Sequence, residues 1–285
     1  MLIILSVFSF SLGVDAQWKI ETDDGATLKF GFLVQARGEF LDLESDTAEN
    51  LFFRRLRLLA GGTLTDRLSF FFETDSPNLG KGSASGSKGS SDIYIQDFVL
   101  IYKWSPDQYL DAGMLLNAIS HNSNQSAASL LAVDYGPYSF LASAPTTSRV
   151  GRDYGLRARG YVLDDRLEYR ASILQGARGT NSSNDFRLLG RLVYNVFEPE
   201  KGLFYGGTYL GKKRVLSFGA SVDHQEDYQS TALDLFSDTP LANGDSVTFQ
   251  ADWIEYDGDT FLTELPEQDA LLVEAGYYFS DSKLL

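Results

Sequence analysis

The sequence predicts an all-β protein, an antiparallel transmembrane β-barrel with eleven or twelve strands present. Three observations support this class. Apolar and polar residues alternate in stretches of about ten, charges recur on the polar parity, and aromatic residues gather at the ends of the stretches. In residues 28–40, for example, leucine, phenylalanine and valine hold one parity, and lysine, glutamine, arginine and glutamate hold the other. Because successive side chains of a strand point to opposite faces, such strands favour a closed sheet with lipid outside and water inside.

Composition narrows the class of function. The 285 residues include no cysteine and carry a formal net charge of −15. The absence of cysteine excludes a disulfide framework, and the acidic balance argues against nucleic acid as a partner, since phosphate binding relies on clustered lysine and arginine. The two histidines, His121 and His224, are far apart in sequence and cannot complete a metal set. We therefore expect neither an enzyme nor a bound cofactor.

The N-terminal segment reads as an export signal. Residues 1–16, MLIILSVFSFSLGVDA, form the one continuous apolar run of the chain, and it is too short to cross a bilayer as a helix. Val14 and Ala16 precede Gln17 in the small-x-small pattern of a cleavage site. We expect a signal peptide at residues 1–16 and an outer-membrane barrel domain at residues 17–285. A buried N-terminal strand or helix is the alternative, because the basic start of a signal is missing.

The predicted strands follow in order, separated by turn signals. They lie at residues 27–43, 51–64, 68–75, 93–104, 109–116, 153–162, 166–175, 185–197, 215–224, 247–256 and 270–279. Residues 198–213 are either one long turn or a twelfth strand between two turns, and residues 225–245 read as a loop. Short turns and long loops alternate, as they do in membrane barrels with short periplasmic turns and longer external loops.

Residues 117–152 form the longest predicted segment without a strand. A connection of this length in a compact domain is usually functional or disordered, and the apolar content here argues against disorder. We expect this segment to fold into the lumen as a constriction loop, and an external cap is the alternative. Residues 117–148 contain no lysine or arginine.

Five stretches, in this order, resemble the phosphate-selective porin O and P family of Gram-negative outer membranes. They are LKFGFLVQARGEF, FFRRLRLLAGGTLTDRLSFFFETD, DIYIQDFVLIYKWSPDQYLDAGMLLN, RDYGLRARGYVLDDRLEYRASILQG and GRLVYNVFEPEKGLFYGGTYLGKKRVLSFGASVDHQ. The resemblance covers nearly all of residues 18–285. It implies a sixteen-stranded homotrimeric barrel in the cell outer membrane, in contact with membrane lipid. It also implies that about four strands are absent, so that the chain is a fragment, and a complete twelve-stranded barrel with an atypical tail is the alternative.

Eight arginines on the polar parity are the candidate pore-lining residues. An arginine that faces lipid near the middle of the membrane costs about 2–4 kcal/mol, so these side chains are expected to face the lumen and to attract anions. The set is Arg37, Arg55, Arg57, Arg157, Arg159, Arg170, Arg187 and Arg191. Cross-strand pairing with carboxylates is the alternative role. The candidate partners are Glu39, Glu73, Asp97, Glu168, Asp252 and Glu274.

These observations predict an outer-membrane porin for the passive diffusion of small hydrophilic solutes, expected to be anions such as phosphate. Phosphate-selective members of the family place basic residues at the constriction, and the lack of basic residues in 117–148 departs from that pattern. Two alternatives remain open at this point. One is a non-conducting outer-membrane barrel that acts as an adhesin or scaffold, and the other is a secreted β-sandwich that binds carbohydrate.

Overall fold

Fourteen β-strands form the protein in a computed structural model that describes residues 6–12, 18–43, 46–83, 86–90, 92–117, 119–179, 182 and 184–285. The strands are β1 Ser6–Leu12, β2 Trp18–Glu21, β3 Thr27–Leu43, β4 Asp46–Thr63, β5 Leu68–Asp75, β6 Tyr94–Ser105, β7 Gln108–Leu116, β8 Arg152–Val162, β9 Leu167–Leu174, β10 Arg187–Asn195, β11 Val215–Gln225, β12 Tyr228–Pro240, β13 Ser246–Asp257 and β14 Gln268–Tyr278. Two 3₁₀ turns, Asn122–Asn124 and Leu141–Ser143, complete the regular structure of this part. In the same part of the chain, no helix has the length and apolar character needed to cross a membrane.

Thirteen strands follow one another in a single antiparallel sheet. Their order is β1, β3, and then β4 to β14 in chain order, and β2 pairs with β3 beside this path. As far as the described residues show, the sheet is not closed, and β1 and β14 are the two ends of its path. The predicted all-β, antiparallel class is confirmed.

The chain divides into two compact units, Met1–Leu100 and Ile101–Leu285. In the first unit, β3 and β4 form a long hairpin that is interrupted by one β-bulge. Gln35 lies opposite Arg55 and Ala36 lies opposite Phe53, so that Arg54 is the extra residue of β4. On the other side of β4, Leu59 pairs with Glu73 of β5.

In the second unit, burial alternates residue by residue along the strands. Every second residue of β11 and β12, from Val215 to Gln225 and from Tyr228 to Phe236, is buried. Many of the buried side chains are polar, whereas many of the exposed ones are large and apolar, such as Leu233, which is 56% exposed. A water-soluble protein shows the opposite distribution, since it buries apolar side chains. The exposed face is therefore built for an apolar solvent.

The strand count differs from the prediction of eleven or twelve. Eleven predicted strands correspond to β3–β11, β13 and β14, whereas residues 198–213 contain no strand. The structure adds β1, β2 and β12. β12 lies within the segment 225–245 that reads as a loop in the sequence, and it pairs with β11 from Tyr228 to Asp238 and with β13 from Gln229 to Pro240. β1 lies inside the predicted signal peptide and pairs with β3, and the cleavage of residues 1–16 stays a prediction.

Candidate functional site

The polar face, as we call the face of the sheet that carries the buried polar side chains, is the candidate site. Three of the predicted arginines lie on this face in the first unit and five in the second, and seven of the eight are buried. Arg37 is half-buried, with its Nε 3.2 Å from Glu39 Oε1. The structure brings these arginines together with carboxylates and amides in cross-strand clusters. Their part in lining a pore stays a prediction.

In the first unit, Arg57 is the centre of one cluster. Its Nη1 lies 2.6 Å from Glu73 Oε1, and its Nε donates to Asp75 Oδ2 at 3.0 Å. Two carboxylates therefore surround one guanidinium on β4 and β5. Beside them, Arg55 Nη1 donates to the Gln35 side-chain oxygen at 2.7 Å.

In the second unit, Arg157 and Arg159 share one carboxylate. Asp111 Oδ2 on β7 accepts from Arg157 Nε and Nη2 at 2.9 and 2.8 Å, and from Arg159 Nε at 2.8 Å. The Arg159 guanidinium also lies over the ring of Tyr109, 4.4 Å from its centroid. Because Asp111 is directly opposite Arg157 in the β7–β8 ladder, the cluster follows from the strand register.

The neighbouring strand β9 adds Arg170 to this side of the polar face. Its Nε lies 2.6 Å from Glu168 Oε1, two residues earlier on the same strand. Arg157, Arg159 and Arg170 carry three positive charges, and Asp111 and Glu168 carry two negative ones. The cluster on β7–β9, which we call the basic cluster, therefore has a net charge of one positive unit.

Arg191 forms a bidentate pair across an intervening strand. Its Nη1 and Nη2 donate to Asp234 Oδ2 and Oδ1 at 2.6 and 2.9 Å, from β10 to β12. The guanidinium crosses β11 at Gly219, where an added Cβ would lie 2.3 Å from Asp234 Oδ1 and 2.6 Å from Arg191 Nη2. Glycine is therefore required at this position by the close approach of the ion pair. Further along β10, Arg187 makes a similar pair with Asp223 on β11.

Two carboxylates on the other side of the polar face have no arginine or lysine partner in the described part of the chain. Asp238 Oδ2 on β12 accepts from the backbone N–H of Tyr209 at 2.7 Å and from Thr248 at 3.0 Å. Asp252 Oδ2 on β13 accepts from the backbone N–H of Asn122 at 2.9 Å. Positive charge therefore accumulates on β7–β9, and carboxylates without an arginine or lysine partner lie on β12 and β13.

The connection from β7 to β8, of which residues 117 and 119–151 are described, packs on the polar face, and we call it the long loop. The stretch from Ser120 to Gln125 is almost completely buried. Besides the bond from Asn122 to Asp252, the Gln125 side chain donates to Gln250 Oε1 of β13 at 2.6 Å. Tyr256 of β13 donates its hydroxyl proton to the carbonyl of Tyr138 at 3.0 Å. The long loop therefore reaches the polar side chains of strands far from its own.

A second segment, residues 196–214 between β10 and β11, packs on the same face, and we call it the inner turn. Arg170 Nη1 donates to the Leu203 carbonyl at 2.9 Å, and the Tyr205 hydroxyl donates to Glu168 Oε1 at 3.1 Å. Sequence reasoning left this segment undecided and missed Glu200 and Tyr205. Its contacts run mainly between side chains and backbone, which leaves no periodic signal in the sequence.

The antiparallel strands expose apolar side chains on one face and carry an arginine–carboxylate network and a long loop on the other. These features define the class of outer-membrane β-barrel channel proteins. The family model of phosphate-selective porin O and P matches residues 28–258 of the chain. The chain therefore belongs to the phosphate-selective porin O and P family. This is a family of channels of Gram-negative outer membranes and not an enzyme family. None of the curated proteins compared with the chain matches it significantly.

Proposed function

We propose that the chain is an outer-membrane porin through which small hydrophilic solutes, chiefly anions such as phosphate, diffuse passively. The observation that carries this proposal is the inverted burial of the strands, with Leu192, Val222 and Leu233 exposed while Arg191 and Asp234 are buried. An exposed apolar surface of this kind is stable against lipid, and a polar face enclosed by such a sheet is suited to water and dissolved ions. The same inversion weighs against the secreted β-sandwich.

The preference for anions rests on the basic cluster of β7–β9. Its net positive unit lies in surroundings of low dielectric constant, where one charge acts more strongly than in water. Asp238 and Asp252, which have no arginine or lysine partner among the described residues, oppose it on β12 and β13. We therefore expect a weak preference for anions. We also propose that residues 117–152 set the pore width and that the protein is exported by residues 1–16 and assembles as a homotrimer.

Reversal-potential measurements in planar bilayers under a potassium chloride gradient test this proposal, with Arg159→Gln as the informative variant. Asp111 remains paired with Arg157 in this variant, so the net charge of the basic cluster falls from one to zero without leaving a carboxylate unpaired. We expect conduction to persist and the anion-to-cation permeability ratio to fall. Arg166→Gln is the matched control, since Arg166 is exposed in the turn before β9 and its guanidinium donates to backbone carbonyls.

Two results would contradict the proposal. An unchanged reversal potential in Arg159→Gln would remove the basic cluster from selectivity. The absence of conductance steps from the wild-type protein would favour the non-conducting barrel, for which the near-complete burial of residues 120–125 is the supporting observation. Replacement of chloride by phosphate in the same bilayers measures whether phosphate permeates.

A further inference from the structure

The long loop and the inner turn start from opposite ends of the strands and meet on the polar face. Successive connections of the antiparallel path alternate between the two ends, so the β7–β8 loop and the β10–β11 turn begin at different ends. Where they meet, the backbone N–H of Ser126 donates to the Tyr205 carbonyl and the N–H of Tyr205 donates to the Asn124 carbonyl, both at 2.9 Å. These two bonds form a short parallel β-bridge between Gln125 and Tyr205.

His121 is fixed beside this bridge by two aromatic rings, one carboxylate and the Gln125 side chain, whose Nε2 lies 3.0 Å from His121 Nδ1. The imidazole ring stacks on Phe236 of β12, with centroids 4.0 Å apart, and on Tyr205 of the inner turn, with centroids 5.0 Å apart. Its Nε2 lies 2.8 Å from Glu200 Oε2. The side chains of His121 and Glu200 are 0% and 3% exposed, so neither is accessible to bulk water. This is the one His–carboxylate ion pair among the described residues.

Glu200 is held by the inner turn itself. Its second oxygen, Oε1, accepts from the Tyr209 hydroxyl at 2.6 Å and from the Gly206 N–H at 3.1 Å. The carboxylate therefore has a fixed position before it contacts His121. The long loop contacts the inner turn through the imidazole, through the neighbouring bridge and through a hydrogen bond from the Gly207 N–H to the Ser129 hydroxyl at 3.4 Å.

The surrounding charges favour the ionised pair. Burial by itself lowers the pKa of His121. The Glu200 carboxylate, together with Asp234 on β12 and Asp252 on β13, outweighs burial and raises this pKa. Burial likewise raises the pKa of Glu200, but His121, Tyr209 and the Gly206 N–H outweigh burial and lower it. A cation of the polar face also approaches this segment: Arg191 of β10 is bound to Asp234 and donates to the Ile119 carbonyl at 3.3 Å.

We propose that Glu200 and His121 form a latch in which Glu200 is the positioning residue of the pore. The latch holds the long loop against the inner turn, and it opens when the imidazolium of His121 loses its proton. The proposal rests on the proposed porin function, because the latch sets the width of the same lumen. With the latch closed, the long loop stays on the polar face and the pore is narrow. With the latch open, the loop moves more freely and Glu200 adds an uncompensated negative charge to the lumen.

The sign of the pH dependence follows from the two pKa directions. The pKa of His121 is raised on folding, so its contribution is complete below the ordinary value of about 6.5 and is lost as the pH rises through the raised value. The pKa of Glu200 is lowered, so its contribution is complete above the ordinary value and is lost as the pH falls through the lowered value. Each unit by which the pKa of His121 is raised changes the latch equilibrium about tenfold.

Single-channel recordings from about pH 6 to about pH 9 test the latch in the full chain. In wild-type protein we expect transitions between conductance levels to become more frequent, and the anion preference to weaken, as the pH rises. Glu200→Gln removes the charge but keeps the side-chain volume, so we expect its transitions to be frequent at every pH. Glu200→Asp should restore part of the pH dependence. Glu264→Gln, an exposed glutamate between β13 and β14, is the matched control and should behave as wild type.

Hydrogen exchange of the Ser126 and Tyr205 amides, compared at equal pH in detergent micelles, separates the latch from conduction. We expect faster exchange in Glu200→Gln than in wild type or Glu264→Gln. A conducting protein whose pH profile and exchange rates are the same in Glu200→Gln and wild type would overturn the latch and leave the porin function standing. A protein that never conducts but shows the faster exchange would overturn the porin function and leave the latch standing.

Discussion

Replacement of Gly219 by alanine should separate the ion pair that crosses β11. An added Cβ would lie 2.3 Å from Asp234 Oδ1 and 2.6 Å from Arg191 Nη2, whereas ordinary contacts of a Cβ begin at 3.4 Å. The carboxylate must therefore move by about 1 Å, which is enough to break hydrogen bonds of 2.6 and 2.9 Å. The side chains of Arg191 and Asp234 are 0% and 1% exposed, so water cannot replace the lost bonds. Breaking a buried pair of this kind costs about 3–5 kcal/mol, which is the upper limit we expect for the loss of stability.

Urea unfolding in detergent micelles, followed by tryptophan fluorescence, measures this loss. Trp253 on β13 is a local probe, since it lies opposite Leu233, the residue before Asp234. Gly190→Ala is the matched control, because its Cβ would meet only Val222 Cγ2, at 3.6 Å, on the same sheet. Equal stability of the two alanine variants would refute the reasoning. So would an undiminished effect of Gly219→Ala in a protein whose Arg191 and Asp234 have already been replaced by apolar residues.

Two further predictions concern the lipid-facing surface and the inner turn. Leu233→Arg on the exposed parity of β12 should weaken folding into lipid vesicles by about 2–4 kcal/mol, whereas Leu241→Arg at the end of that strand should cost about 0–1 kcal/mol. Equal costs, measured by urea titration of vesicle-bound protein, would contradict the assignment of this face to lipid. Tyr209→Phe should destabilise the protein by about 1.5–3 kcal/mol at neutral pH, because it removes a hydrogen bond to the ionised Glu200. Since the pKa of Glu200 is lowered, this difference should shrink as acid protonates the carboxylate, and a difference that does not change with pH would exclude Glu200 as its source.

The strands were predictable from sequence wherever the two faces differ strongly in polarity. β10 is such a case, because Leu188 and Leu192 are exposed and the residues just before them, Arg187 and Arg191, are buried. β12 escaped prediction because its contrast is weak: the buried face includes Phe236, which packs under His121, while the exposed face includes Thr231. A two-residue connection without glycine or proline between β11 and β12 also gave no turn signal.

The partners of the arginines depended on register, which alternation alone does not provide. Of the six carboxylates to which the sequence pointed, Glu73 pairs with an arginine of the neighbouring strand, and Glu39 and Glu168 pair with arginines of their own strands. Asp252 and Glu274 instead accept hydrogen bonds from a backbone N–H and from a glutamine side chain. Asp111 and Asp234 were missed. Asp111 faces Arg157 only because of how β7 and β8 align, and Asp234 reaches Arg191 only because β11 has a glycine between them. A long-range pair of this kind becomes visible once neighbouring strands have been aligned.

The pairing of His121 with Glu200 has a consequence for the assembly of the protein in its membrane. The two residues are 79 positions apart, and the β8–β9 hairpin and β10 lie between them in the chain. The hydrogen-bonded contact cannot form until β10 and β11 flank the inner turn, so the long loop waits without its final partner while these strands insert. A protease added during insertion should therefore cut within residues 119–151 early and lose access to them later. We therefore expect the contact between the long loop and the inner turn to form late in biogenesis, after β10 and β11 have been inserted.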